Sequence, residues 1–468
     1  MECYPAAKTG GLADVVGSLP KYLNKLDFDV EVFIPKFGMK WFENKEYHYV
    51  HTADFYLHEE NIRYGIAEVK GIELGFKLFV VDIPGKFDRN GVYSSEDGSF
   101  FRDEVQRHVC FQRSYLNYIV NAEFKPDVVH CHDHHTGLIP FMMQHCDGYR
   151  FLASTPVVFT IHNERYQGVF PWSMVYLLPQ FDAWKSGVID WANMINPLAA
   201  GVRGAWKVTT VSPTYMQELK YNSGGLENLF QSESNKCVGL LNGIDNDVWN
   251  PSTDKMLPHH LKGNIHTFKA ENKKYLLENS QLDPSLPLLA FIGRFAGEKG
   301  ADLLPEIIKE CLNQNLPINF VVLGTGDKYV EHEAGLLSYY RPDKVMAHIT
   351  FNESLSHLIY AAADFLIMPS RVEPCGLNQM YSMRYGTIPI VHNIGGLRDS
   401  VTYFDSEHGT GLKFENLYLY NIIQEIRKSI YLYNDRKLLD TIRKNCIEMD
   451  FSWDKSAHEY AKIYNSLL

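Results

Sequence analysis

Residues 287–299 read PLLAFIGRFAGEK. A short apolar run ends at a glycine, and two cations, Arg294 and Lys299, follow within a few residues. Strands buried on both faces read as continuous apolar runs rather than alternating ones. The stretch therefore predicts an interior strand of a parallel sheet with a basic loop at its carboxyl end, where open α/β sheets bind ligands.

Working outward, the same kind of run recurs through the chain. DVEVFIPK, FKLFVVDI, DVVHCH, TPVVFTIH and KVTTVS fill the first half, and INFVVLG, HITF, DFLIMP and TIPIVH fill the second. Helical patterns lie between them, as in SFFRDEVQRHVCFQRSYLNYIV and SHLIYAAAD. Strand–helix alternation implies parallel sheets with right-handed crossovers. Two such series in 468 residues predict two doubly wound domains, because one core does not grow to that length. The boundary is expected after LLNGIDNDVW, residues 240–249, where a polar stretch with two prolines runs towards a helix. One short pattern repeats: GGLADVV at 10–16 and GGLRDSV at 395–401. Each predicts a glycine turn opening a helix, whose N–H groups and dipole favour an anion.

Composition narrows the function. The net charge of −11 argues against a general nucleic-acid binder. No apolar run is long enough to span a membrane, and MECYPAAKTGG lacks a secretory pattern. Eight cysteines without CxxC pairs fit a reducing cytoplasm.

Three stretches carry chemistry. GRFAGEK places Arg294 and Lys299 at a strand mouth, and LGTGD (323–327) adds a second glycine loop. Fixed cations and N–H dipoles there would stabilise the charge that grows on a departing diphosphate. In SRVEPCGLNQ (370–379) Glu373 follows a strand end, Pro374 favours a helix start, and Gly376 permits close backbone approach. HCHDHHTG (130–137) holds four histidines and an aspartate. It falls short of the His-x-His-x-Asp-His order of binuclear zinc hydrolases, because position 134 is histidine and the aspartate comes one residue early. No metal or other cofactor is expected, and these histidines read as strand-end polar and packing residues.

Together KTGGLAD (8–14), HDHHTG (132–137), TIHN (160–163), TVSPTY (210–215), LNGID (241–245), GRFAGEKG (293–300), SRVEPCGLNQ (370–379) and FSW (451–453) resemble bacterial glycogen synthases and plant starch synthases, in order and spacing over nearly the whole chain. The resemblance implies an α/β GT-B fold, with two Rossmann-like domains facing an interdomain cleft. Their expected bounds are 1–245 on the acceptor side and 246–449 on the donor side, with a last helix, 450–468, crossing back to the first domain. It implies cytoplasmic transfer of glucose from ADP-glucose to the non-reducing end of an α-1,4-glucan, with retention. Carried over, Lys8 and Gly11 approach the donor from the first domain, and Arg294 and Lys299 hold its diphosphate from the second. Glu373 with the backbone of Cys375, Gly376 and Leu377 holds the glucose hydroxyls, while His162, Asn163 and Asn242 line the sugar. Asp14 and Asp133 fall on the acceptor side, Phe351 takes the base-stacking place, and Gly395 and Gly396 form the late phosphate turn.

The chain departs from the family in three places. Ile394 stands where the family has threonine, which removes a hydroxyl contact to phosphate while leaving the N–H groups. Phe351 replaces tyrosine. The family has a strand before ECYP, so unpaired neighbouring strands and low stability are expected. A retaining hydrolase shows two carboxylates about 5 Å apart; here the place eight residues beyond Glu373 is Tyr381, which favours front-face departure over a glucosyl–enzyme intermediate. The alternatives are a transferase of the same fold using UDP-glucose or making sucrose or trehalose, a metal-dependent hydrolase, and a glycan-binding scaffold without catalysis.

Overall fold

The computed structural model describes residues 1–95, 99–405 and 408–468. The chain divides into two compact units, Met1–Gly243 with Trp453–Leu468, and Ile244–Ser452.

The first unit carries two four-stranded sheets. In one, β1 (Glu31–Pro35) pairs in parallel with β4 (Lys77–Asp82), and a long antiparallel hairpin of β2 (Glu46–Leu57) and β3 (Glu60–Lys70) completes the order β1-β4-β3-β2. The hairpin is absent from the sequence reading because β2 is mostly solvent-exposed and offers no continuous apolar run. The other sheet is all parallel: β5 (Val129–His132), β6 (Val157–Ile161), β9 (Lys207–Thr210) and β10 (Cys237–Gly239), in the order β10-β9-β6-β5. A two-stranded ribbon of β7 (Asp190–Trp191) and β8 (Met194–Ile195) lies outside it. Among the described residues β1 and β5 are outer strands of their sheets. The terminal helix, Trp453–Asn465, belongs to this unit: Trp453, Ala457, Tyr460 and Tyr464 pack on Val15, Leu19, Tyr22 and Leu23 of the Gly11–Asn24 helix.

The second unit is one six-stranded parallel sheet: β11 (Leu288–Ile292), β12 (Asn319–Leu323), β13 (Val345–His348), β14 (Phe365–Met368), β15 (Ile388–His392) and β16 (Leu412–Phe414). Its order, β13-β12-β11-β14-β15-β16, reverses direction between β11 and β14. One expected strand is corrected: HITF is not the strand, and VMAH, three residues earlier, pairs with β12. Val345 is the buried anchor of that pairing and falls outside the apolar run that HITF suggested. The helix expected from Pro374 is also displaced, to Asn378–Arg384.

Within this unit Asp364, at the start of β14, is buried and accepts from Lys273 at 2.8 Å, from Arg443 at 2.6 Å and from the Leu288 N–H at 2.9 Å. The two cations hold its carboxyl below the usual range against the opposing effect of burial. The cluster ties the Ile265–Leu277 and Arg436–Glu448 helices to the two central strands. Breaking a buried pair strands an uncompensated charge. Asp364→Ala is expected to lower the unfolding free energy of the second unit by about 3–5 kcal/mol, read as a shifted urea midpoint.

Candidate active site

In the second unit the loops after β11 and β14 meet where the strand order reverses. After β11 the chain makes a single tight turn, Gly297–Lys299, and closes in the left-handed region at Gly300, φ 64°. A Cβ on Gly300 would stand 1.9 Å from the Pro369 carbonyl, so only glycine lets the two loops touch. The contact sets Lys299 against Glu373: Nζ donates to Oε1 at 2.7 Å and to Oε2 at 2.8 Å. Ser370 Oγ donates to Oε2 at 2.9 Å. Glu373 is only 4% exposed, so this carboxylate is buried with its charge matched and its oxygens bonded. Arg294 points to solvent and donates to Glu298 at 2.6 Å, an exposed pair of small worth that a dianionic ligand can displace.

Gly376, φ 71°, turns the next loop, and Gln379 fastens it by donating to the Cys375 and Gly376 carbonyls and to Ser400 Oγ. Gly395 and Gly396 open the helix Gly395–Ser400, as the repeat predicted. The Gly396 N–H, however, donates to the Glu373 carbonyl at 3.0 Å and is spent inside the loop rather than offered to phosphate. A Cβ on Gly396 would lie 2.0 Å from the Cys375 carbonyl. Cys375 is buried, Leu377 is half-buried, and Phe351 is 86% exposed with its ring face open.

In the first unit the KTGG turn precedes the Gly11–Asn24 helix, and the space beside Gly10 and Gly11 is open. The N–H groups of Thr9 and Gly10 donate to the buried Glu2 carboxylate at 2.6 and 2.8 Å, and Tyr93 OH donates to its other oxygen at 2.6 Å. Lys8 is exposed and pairs with Asp14 at 2.7 Å. The sequence carries no signal for Glu2, whose role exists only once the turn closes over it.

Asp133 follows β5 with φ 54°, and its Oδ1 accepts the His162 N–H at 2.7 Å. Burial pushes its carboxyl up to about 7, although the N–H groups of His162 and Asn163 pull it down. Asp133 is buried and clamps the loop after β6 through the His162 N–H. His162 is held neutral by burial, with a pKa of about 3, and its Nε2 meets His132 Nδ1 at 3.1 Å. His130 is bonded at both nitrogens, to Tyr464 OH at 2.7 Å and Thr160 Oγ1 at 2.6 Å. Asn163 is half-buried and its side chain accepts the Arg165 N–H at 3.1 Å, while Asn242 is buried. Glu164, next in the loop, is buried against Tyr215 OH. It sits one residue beyond the TIHN motif.

Comparison with known proteins decides the family. A model described as the starch synthase catalytic domain matches residues 1–232, and one described as glycosyl transferases group 1 matches 273–449. A glycogen synthase of Flavobacterium johnsoniae is 42% identical across all of this chain and 98% of its own length. The chain belongs to the glycogen and starch synthase family of glycosyltransferases. A Streptococcus sanguinis glycogen synthase is 36% identical over 99% of this chain and 98% of its own. Among solved structures, the catalytic domain of starch synthase IV from Arabidopsis thaliana, bound to ADP and acarbose, is 30% identical with a TM-score of 0.88, covering 100% of this chain and 97% of its own. A sucrose-phosphate synthase from Thermosynechococcus elongatus, 16% identical with a TM-score of 0.62, covers 98% of this chain and 94% of its own and shares the fold. As a member of this family the chain has the GT-B fold, and no helix among the described residues is long and apolar enough to cross a membrane.

Gly300→Ala combines a positive φ with a backbone clash. It is expected to cost at least about 1–3 kcal/mol and to displace Lys299 from Glu373, read as a lowered Tm together with lost turnover.

Proposed function

We propose that this glycosyltransferase moves glucose from ADP-glucose to the non-reducing end of an α-1,4-glucan, with retention, in the cytoplasm. The observation that carries the reading is the buried Glu373 carboxylate held by Lys299 where the strand order reverses. The ADP and acarbose named with the Arabidopsis starch synthase structure support the nucleotide and the glucan class. The reading requires the residues of both units to act on one donor.

In this proposal Lys299 and Arg294 neutralise the diphosphate as the glucosyl bond breaks, with Glu298 yielding Arg294 to phosphate. These cations act most where charge is greatest, which lowers the barrier rather than merely tightening binding. Glu373, with the backbone at Cys375, Gly376 and Leu377, takes the glucose hydroxyls, and a carboxylate near the ring favours an oxocarbenium-like state. Gly395 contributes backbone to the phosphate end, and the exposed Phe351 ring stacks on the base. From the first unit, Lys8 and Gly11 approach the phosphates, and His162, Asn163 and Asn242 line the sugar. Asp133 positions His162 through its N–H, and Asp14 lies on the acceptor side with Lys8.

The front-face route gains support from Tyr381. It stacks on Trp249 with centroids 3.7 Å apart, as a packing residue without acid–base chemistry. The departing phosphate then takes the proton of the acceptor hydroxyl as the new bond forms on the same face. Accumulation of a covalent sugar on Glu373 would sink this route.

Lys299→Ala and Glu373→Ala are each expected to lower kcat by about 10²–10³-fold, as removal of a transition-state partner does, with the far-UV circular dichroism spectrum retained. Unchanged turnover would remove the residue from the site. With glycogen as acceptor, kcat/KM is expected to be higher for ADP-glucose than for UDP-glucose, and the reverse order refutes the adenine assignment.

A further inference from the structure

Away from the Lys299–Glu373 loops, the first unit holds a cluster that the glucosyl transfer leaves unused. His108, from the Glu104–Asn121 helix, packs against His134 and His135 in the turn after β5, with ring centroids 5.5 and 4.9 Å away. All three rings are at least nine-tenths buried, at 6%, 5% and 5% exposed. Among the described residues His108 Nε2, His134 Nδ1 and His135 Nδ1 have no hydrogen-bond partner. Buried polar atoms are costly to leave unsatisfied, and those of His108 and His134 can share one partner. Glu104 precedes His108 by four residues, one turn along the same helix face, and forms no ion pair among the described residues. One ligand atom each from Glu104, His108 and His134 lie within 4.8 Å of one another.

We propose that Glu104, His108 and His134 bind a divalent transition-metal ion, with zinc the best match to two imidazoles and one carboxylate. This is the three-ligand N/O set that zinc takes with a fourth, exchangeable position. Glu104 is only half-buried, which gives the ion an entry side and the carboxylate freedom to close the remaining distance. The neighbouring Arg107 donates to the Lys86 carbonyl at 2.8 Å, lies over the Phe87 and Phe101 rings, and its charge favours the ionised form of Glu104. His135 stacks on Tyr93 at 5.0 Å and backs the site rather than entering it. A bound ion joins the 104–121 helix to the turn that begins at Asp133 and so stiffens the clamp on His162. It takes no part in the transfer step.

The test uses the full chain without a histidine tag, stripped by chelator and then titrated with Zn²⁺ against a chromophoric competitor. Co²⁺ is added in parallel for its visible absorption. Expected are a single tight equivalent of Zn²⁺, a rise in Tm, and a low-symmetry Co²⁺ spectrum. Glu104→Gln, at a half-exposed position chosen to preserve folding, and His108→Phe should each weaken binding by more than about 100-fold, beyond what outer-sphere partners are worth. A surface control, His458→Gln, should leave it unchanged. Binding no tighter than the surface background, or binding unaffected by Glu104→Gln and His108→Phe, overturns the proposal and assigns the unpartnered nitrogens to buried water.

Discussion

A parallel sheet must be covered on both faces, and this one requirement arranges the rest of the molecule. Covering demands a helix between successive strands, and every strand then points the same way. All the loops at the carboxyl ends collect on one rim, and ligands of open α/β sheets bind on that rim where the strand order reverses. In the second unit that place lies between β11 and β14, and it holds Lys299, Glu373 and Ser370. The first unit uses the same logic in its all-parallel sheet, where β5 delivers Asp133 and β6 delivers His162.

The packing beneath these rims is what makes their charges tolerable. Asp364 is anchored by Lys273 and Arg443, so the start of β14 is fixed at one end while its far end carries the Glu373 loop. Glycine does the complementary work at the rim. Gly300 and Gly396 lie so close to the Pro369 and Cys375 carbonyls that any side chain would separate the loops. The ion pair they enclose is short because the backbone is close, and not because the two side chains seek each other through solvent.

The first unit shows how a polar motif divides its labour. Of the four histidines in HCHDHHTG, His130 is consumed by Tyr464 and Thr160, and His132 meets His162. His134 and His135 turn the other way, towards His108 on a helix that the motif itself does not contain. The strand ends at His132, and the turn at Asp133, φ 54°, separates the first pair from the second. One stretch thus serves both the clamp around Asp133 and the separate cluster beside Glu104.

Much of this was legible in the order of residues. Continuous apolar runs marked most of the parallel strands, because strands buried on both faces are rich in apolar residues, but not the short β10 and β16, and the glycine motifs marked several loops at their ends. The antiparallel hairpin of β2 and β3 left no such mark, since one face is wet and its pattern is diluted. The strand at Val345–His348 was misplaced by three residues because its single buried anchor lies before the apolar run. Residue types near Glu373, Lys299 and His162 were set by the sequence alone. Their partners were not: Glu2 beneath the KTGG turn, Ser370 on Glu373, Glu164 against Tyr215, and Glu104 beside His108 and His134. Local sequence dictates which groups a loop carries, because strand and turn propensities act over a few neighbours. Only the tertiary structure decides which distant groups face them, because hydrogen bonds and burial depend on which segments the packed sheets bring within a few ångströms.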